Sequence, residues 1–141
     1  MGRANVHFCK TVRSAYDKSF PYLQEVENRI DSFFEYILLW QDIHQTVLMK
    51  PYNFYSLVLA ITHRLNPVPT LQEHFPLDHA MPILSEYALP NLGILAAAQE
   101  NPEEHPRLAD FVEACSSGTN RINQRKVRFK YYSCALKPAL I

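Results

Sequence analysis

At 141 residues the chain has the length of one ordinary domain and can bury roughly two thirds of its unfolded surface. Its three cysteines, Cys9, Cys115 and Cys134, are too scattered and odd in number for a disulfide framework or zinc ribbon, and neither a secretory leader nor an apolar run approaching the ~20 residues that cross a bilayer is read in it, so a cytoplasmic protein with reduced thiols is expected and membrane roles are set aside. Fourteen lysines and arginines balance fourteen acids, but residues 17–120 hold all 14 acids against five bases, a net of −9, while the last 21 residues carry Arg121, Arg125, Lys126, Arg128, Lys130 and Lys137 and no carboxylate.

In chain order, Val6, Cys9, Val12 and Tyr16 have helical spacing and predict a short helix over Asn5–Tyr16. After Pro21, the residues Leu23, Val26, Ile30, Phe33, Phe34 and Ile37 face one way and Glu25, Asn28, Arg29, Asp31, Ser32 and Glu35 the other. They predict an amphipathic helix to about Gln41 or a turn beyond, with Glu25 and Arg29 an i, i+4 pair and Trp40 a packing anchor near its end. Lys50–Leu65 is the element around which the rest is organised. Pro51 suits a first helical turn; Phe54, Leu57, Val58, Ile61 and Leu65 make one apolar stripe, and Tyr52, Tyr55 and Leu59 a second. No carboxylate occurs between Asp42 and Glu73, and a helix apolar nearly all round is buried among others.

Asn66, Pro67 and Pro69 then force an extended exit, and Thr70 with Glu73 has capping-box spacing for a brief turn that Pro76 interrupts. Asp78–Ala88 reads as a further helix, with Pro82 in its first turn and Met81, Leu84 and Ala88 inward. Pro90 ends or kinks it, and Asn91–Glu100 either continues it or starts a separate piece. Asn101-Pro102-Glu103-Glu104 is one helix start and His105-Pro106 a competing one; from either, Leu108, Phe111, Val112 and Cys115 form the inner stripe and Gly118 is placed for a left-handed cap. Thr119 or Asn120 caps a last, basic helix from Arg121 to about Leu136. With three glycines and few alternating β-branched runs, strands are not expected. The expectation is an all-α chain: a single bundle of about five to seven helices packed round a buried helix at about 51–65.

Catalytic signatures are sought and not found. Two histidines and an aspartate in His74-Phe-Pro-Leu-Asp-His79 are metal-ligand types, but the flanking prolines imply a loop without helical i, i+4 geometry, so exposed loop side chains are the preferred reading. His63 is read as a hydrogen-bonded core or rim histidine. There is no Gly-x-Ser-x-Gly elbow, and Cys115 and Cys134 fall on packing stripes. Glycines at positions 2, 93 and 118 form neither a Walker loop nor a dinucleotide fingerprint. Neither Arg64 nor Arg107 has the histidine downstream on the same helix that the HEPN ribonuclease pattern needs. An enzyme made of this chain alone is not expected, and neither is a cofactor or a metal.

The basic tail is the remaining signal. On a helical wheel Arg121, Arg125 and Arg128 align beside Tyr132, and Lys126, Lys130 and Lys137 form a second stripe, with Ile122, Phe129 and Leu136 between them to pack on the body. Guanidiniums about one helical turn apart suit a phosphate backbone, and Tyr132 is placed to stack on a base. The competing reading is that these cations pair with body acids such as Glu103, Glu104, Asp110 and Glu113, or only solvate a helix face.

The order of an amphipathic helix, KPYNFYSLVLAITHRL, a proline-rich exit and RLADFVEACSSGTNRINQRKVRF resembles the carboxy-terminal helical part of proteins that begin with a ParB/sulfiredoxin-like nuclease domain, a family that includes GmrSD-type modification-dependent restriction enzymes. The matching residues are Lys50, Pro51, Phe54, Tyr55, Ser56 and Leu57, then Phe111, Ala114, Thr119, Asn120, Arg121, Arg125 and Arg128. The likeness runs from about Tyr22 to Phe129 and rests on packing-type motifs. The family's Asp-Gly-Gln-Gln-Arg nuclease motif is absent, so the resemblance implies a helical module, a piece of a larger protein or a short stand-alone relative, and not a catalyst. It implies an accessory role beside a nuclease domain or partner subunit in restriction or defence. In this reading Arg121, Arg125, Lys126, Arg128 and Lys130 contact DNA phosphates. The alternative is a protein-interaction module that binds no nucleic acid.

Overall fold

The computed structural model describes residues 23–77 and 80–138; the helix expected over Asn5–Tyr16 lies outside them. Every regular element among the described residues is helical. Six α-helices follow in order: α1 Leu23–Leu39, α2 Pro51–Leu65, α3 Pro69–Gln72, α4 Ser85–Glu100, α5 Ala109–Ser116 and α6 Ile122–Ala135. Short 3₁₀ turns join them at Gln41–Ile43, Val47–Met49, Pro102–Glu104 and Pro106–Leu108. No described helix is long and apolar enough to cross a membrane.

The expected central helix is present, with Pro51 in its first turn and the Lys50 carbonyl accepting the first helical bond, from Phe54 N–H, at 2.8 Å. Its main packing partner is α6, which also lies on α5, while α1 and α4 close the remaining sides. The buried residues of α2 are Asn53, Ser56, Leu57, Ala60, Ile61, His63 and Arg64. Leu57 and Ile61 belong to the expected stripe, but Phe54, Val58 and Leu65 are only half-buried. The helix is therefore turned by about one position, so that polar Asn53 and Ser56 point inward.

Trp40, fully buried, ends α1 and anchors it: its indole N–H donates to Ser85 Oγ at 2.8 Å and its ring packs tilted on Tyr36. The amino-terminal half of the amphipathic face is not enclosed, for Val26 and Ile30 remain exposed. The expected helix over Asp78–Ala88 is shorter than read. Among the described residues of that stretch, 80–84 have no regular structure, α4 begins at Ser85, Met81 and Leu84 face solvent, and Ile83 with Ala88 is buried. A tertiary bond explains the delay: Met81 N–H donates to the Arg64 carbonyl in the last turn of α2 at 2.9 Å, and Pro82 keeps Met81 out of helical geometry.

Helix α4 continues through Pro90 without a break. The proline side chain is exposed, its missing N–H forfeits a single bond, and burial of Ala88, Asn91, Leu92 and Leu95 holds the rest in line. Both competing starts after Asn101 are used as 3₁₀ turns, and the α-helix proper starts later, at Ala109. Gly118 takes φ +58°, the left-handed end expected for α5. Neither Thr119 nor Asn120 caps α6: Arg121 is the flanking residue and no side chain bonds to the helix start.

Candidate nucleic-acid interface

Of the five basic residues expected to contact phosphate, four stand on the surface of α6 and one does not. Arg121, Arg125, Lys126 and Lys130 are exposed. Arg128 is buried, 2% exposed, and spends its guanidinium on the fold. Nη1 donates to the Ala114 carbonyl at 2.6 Å, Nη2 to the Thr119 carbonyl at 2.7 Å and Nε to Ser56 Oγ at 3.3 Å. Its cationic carbon lies 5.5 Å from the centre of the Tyr52 ring. Ala114 lies in the last turn of α5, so a positive charge there meets the negative end of the helix dipole. Burial pulls the Arg128 pKa below the usual arginine value, with the neighbouring thiol and phenols opposing that shift. The expectation that Arg128 faces a phosphate is corrected: although its side chain borders the first concavity described below, all three of its guanidinium nitrogens donate to carbonyls or a hydroxyl inside the protein.

Tyr132 is corrected in the same way. Fully buried, it donates its hydroxyl to Asn53 Oδ1 at 2.9 Å and cannot stack on a base. Asn53 is the centre of a saturated polar cluster. Its Nδ2 donates to the Val47 carbonyl and to Gln99 Oε1, and its Oδ1 accepts from Tyr132 and, at 3.4 Å, from the Cys115 thiol. All four of its hydrogen-bonding positions are filled. Burial pushes the Cys115 thiol up to about 12 and the Tyr132 hydroxyl well above its ordinary value. Ile122, expected to pack on the body, is 62% exposed, whereas Phe129 and Leu136 are buried as expected.

Arg125, Lys126 and Lys130 line a surface built by α2, α6 and the segment 66–77 that includes α3, in three adjoining concavities of 590, 240 and 310 Å³; Arg121 stands outside their lining. Tyr52, Tyr55, Asn120 and Arg125 line the first; Tyr55, His74, Phe75, Arg125 and Lys126 line the second; His74, Phe75, Arg64, Lys130 and Lys137 line the third. Shared side chains join them: Tyr55 and Arg125 between the first two, His74 and Phe75 between the last two. The Arg125 guanidinium lies 5.7 Å from the centre of the half-exposed Tyr55 ring. None of the described residues lining the three concavities is a carboxylate. Among the described residues no ion pair joins α6 to Glu103, Glu104, Asp110 or Glu113, whereas Arg29 and Glu25 pair at 2.8 Å on α1, as the sequence predicts.

The loop that walls the third concavity is held by His63. Its Nε2–H donates to the Phe75 carbonyl at 2.8 Å and its Nδ1 accepts Val68 N–H at 2.9 Å, which makes it the bonded core histidine expected. Gln72 exchanges two bonds with Leu77, and the Phe75 ring packs on Phe129 at 4.5 Å. Of the histidine loop, Asp78 and His79 lie outside the described residues, and His74 faces cations.

Sequence reasoning overlooked Asn53, Gln99 and Arg64 as site-building residues. The available signal was chemical: polar side chains on a helix read as buried require buried partners. Comparison with protein-family models, with curated proteins and with solved structures returned no match for this chain.

Proposed function

We propose that the α2–α6 surface binds single-stranded nucleic acid, with Arg121, Arg125, Lys126 and Lys130 at phosphates and Tyr55 as a stacking platform. One observation carries this reading: Arg125, Lys126 and Lys130 of α6 line a continuous run of concavities, with no carboxylate among the described lining residues, beside an exposed tyrosine. Charge that follows a groove, with an aromatic face beside it, suits a strand whose bases are unpaired. Helix α6 spans about 21 Å at 1.5 Å per residue, room for a few nucleotides. The chain supplies contact and not chemistry, and the resemblance to nuclease-associated helical modules supports placing it beside a ParB-like nuclease domain in restriction or defence.

Fluorescence anisotropy with short single-stranded and duplex DNA and with RNA, at ~50 and ~200 mM salt, tests the reading. Three to four phosphate contacts on a single strand give a log–log salt slope of about −2 to −3, an affinity loss of roughly 20- to 50-fold over that range. The triple change Arg125→Ala, Lys126→Ala and Lys130→Ala is expected to flatten the slope. No binding to any nucleic acid at low salt would sink the proposal and leave a protein-interaction module as the reading to pursue.

A further inference from the structure

We infer that the concavity at the carboxyl end of α2 is a binding site for a phosphate monoester, with Arg64 as the group that grips it. Arg64 is 7% exposed, its Nε is fully enclosed, and no hydrogen bond or ion pair engages its guanidinium. A buried guanidinium is normally bonded in full, and Arg128, one face away on the same seam, is. What distinguishes the surroundings of Arg64 is an open volume of 310 Å³, with Lys130 and Lys137 on the opposite wall from α6 and His74 on the rim. Three fixed positive charges with no described carboxylate lining the space favour a dianion over a singly charged group, and the planar guanidinium fork matches two oxygens of a phosphate at once.

The remaining lining is apolar or small: Ala60, Phe75, Leu77 and Ser133. With liquid water taking roughly 30 Å³ per molecule, the space holds a phosphate together with part of the group that carries it. The wall is rigid where it matters, because His63 and Gln72 fix the loop through four hydrogen bonds. The ester is either the terminal phosphate of a strand lying in the adjoining concavities or a small free phosphorylated molecule. The first source rests on the function proposed above; the second does not.

Two measurements on the full chain separate them. Anisotropy compares one oligonucleotide bearing a 5′-phosphate, a 3′-phosphate or only hydroxyl ends, for the wild type, Arg64→Met and Arg125→Ala/Lys126→Ala. Thermal unfolding of the same proteins is followed with inorganic phosphate and glycerol phosphate, using sulfate and chloride at matched ionic strength as references. The expected result is at least tenfold tighter binding of one phosphorylated end. Arg64→Met abolishes that preference while the hydroxyl-ended strand still binds, and the α6 variant weakens all three strands alike. If no strand binds but phosphate raises the unfolding temperature of the wild type and not of Arg64→Met, the site stands with the free ester as its ligand and the nucleic-acid reading falls. Strand binding indifferent to terminal phosphate, together with no phosphate-specific stabilisation, overturns the site. Arg64→Met leaves no bonded partner behind, so it is expected to fold and keep the test decisive.

Discussion

Two arginines are buried along the seam between α2 and α6, and they are treated in opposite ways. Arg128 has three hydrogen bonds, a tyrosine face and the carbonyl end of α5 around it. Arg64 has none of these and opens on a cationic concavity. Burial is nearly equal, so burial does not separate a structural cation from one held for a ligand. The hydrogen-bond account does: a fold that leaves the Nε of a guanidinium enclosed and unbonded carries a cost of about 1–3 kcal/mol that its own contacts do not offset.

Replacing each arginine by methionine, which keeps much of the side-chain length, sharpens the contrast most. Arg128→Met strands the buried Ala114 carbonyl and the part-buried Thr119 carbonyl and takes one of the two bonds of the Ser56 hydroxyl, and its expected loss is about 3 kcal/mol in urea unfolding with an unchanged slope. Arg64→Met strands nothing and removes a desolvated charge, so stability is expected to hold or to rise by about 1 kcal/mol. Equal losses in the two variants would break the comparison and return Arg64 to the packing of the core.

A somewhat smaller effect is expected at the centre of the polar cluster. Asn53→Ala leaves the Tyr132 hydroxyl, the Gln99 amide and the Val47 carbonyl without their shared partner, at a cost of about 2 kcal/mol. Because Asn53 and Arg128 both hold α6 to α2, joined through Ser56 and Tyr132, the double variant is expected to be less destabilised than the sum of the singles. Strict additivity would mean that the two sets of bonds act independently.

These pairs also explain what the sequence could disclose. Helix α2 was legible because Pro51 opens a long apolar segment without a carboxylate, and α5 because Gly118 stops it; both signals are local. The facing of α2 was not, because periodicity weighs apolar residues, and the partners that make Asn53 and Ser56 tolerable inside come from Tyr132 and Arg128, more than 70 positions away. The same distance hid the fate of the basic helix. A helical wheel placed Arg121, Arg125 and Arg128 on one face, yet the carbonyls of Ala114 and Thr119 draw Arg128 inward. The start of α4 was misplaced for a like reason: Pro82 permits a helix, but the bond from Met81 to the Arg64 carbonyl holds a non-helical segment there instead. Tertiary hydrogen bonds, which leave no periodic trace, decided each of these positions.

The smallest effect at neutral pH is also the one that tests the saturated cluster by titration. The Cys115 thiol and the Tyr132 hydroxyl both give their protons to Asn53, and burial raises both above their ordinary values. In the unfolded chain the thiol ionises from about pH 9; in the folded protein it keeps its proton until about 12. The native state therefore binds more protons than the unfolded state across that window, and stability must fall as pH rises through it, having been fully present below pH ~9. Cys115→Ala removes one weak donor and one sulfur, a change expected to cost no more than about 1 kcal/mol at pH 7. It also removes the thiol's share of the alkaline decline, so the gap between wild type and variant is expected to narrow between pH ~9 and ~10, before the tyrosines of the unfolded chain titrate. A gap that stays constant over that interval would mean that the thiol is less enclosed than its place beside Asn53 requires.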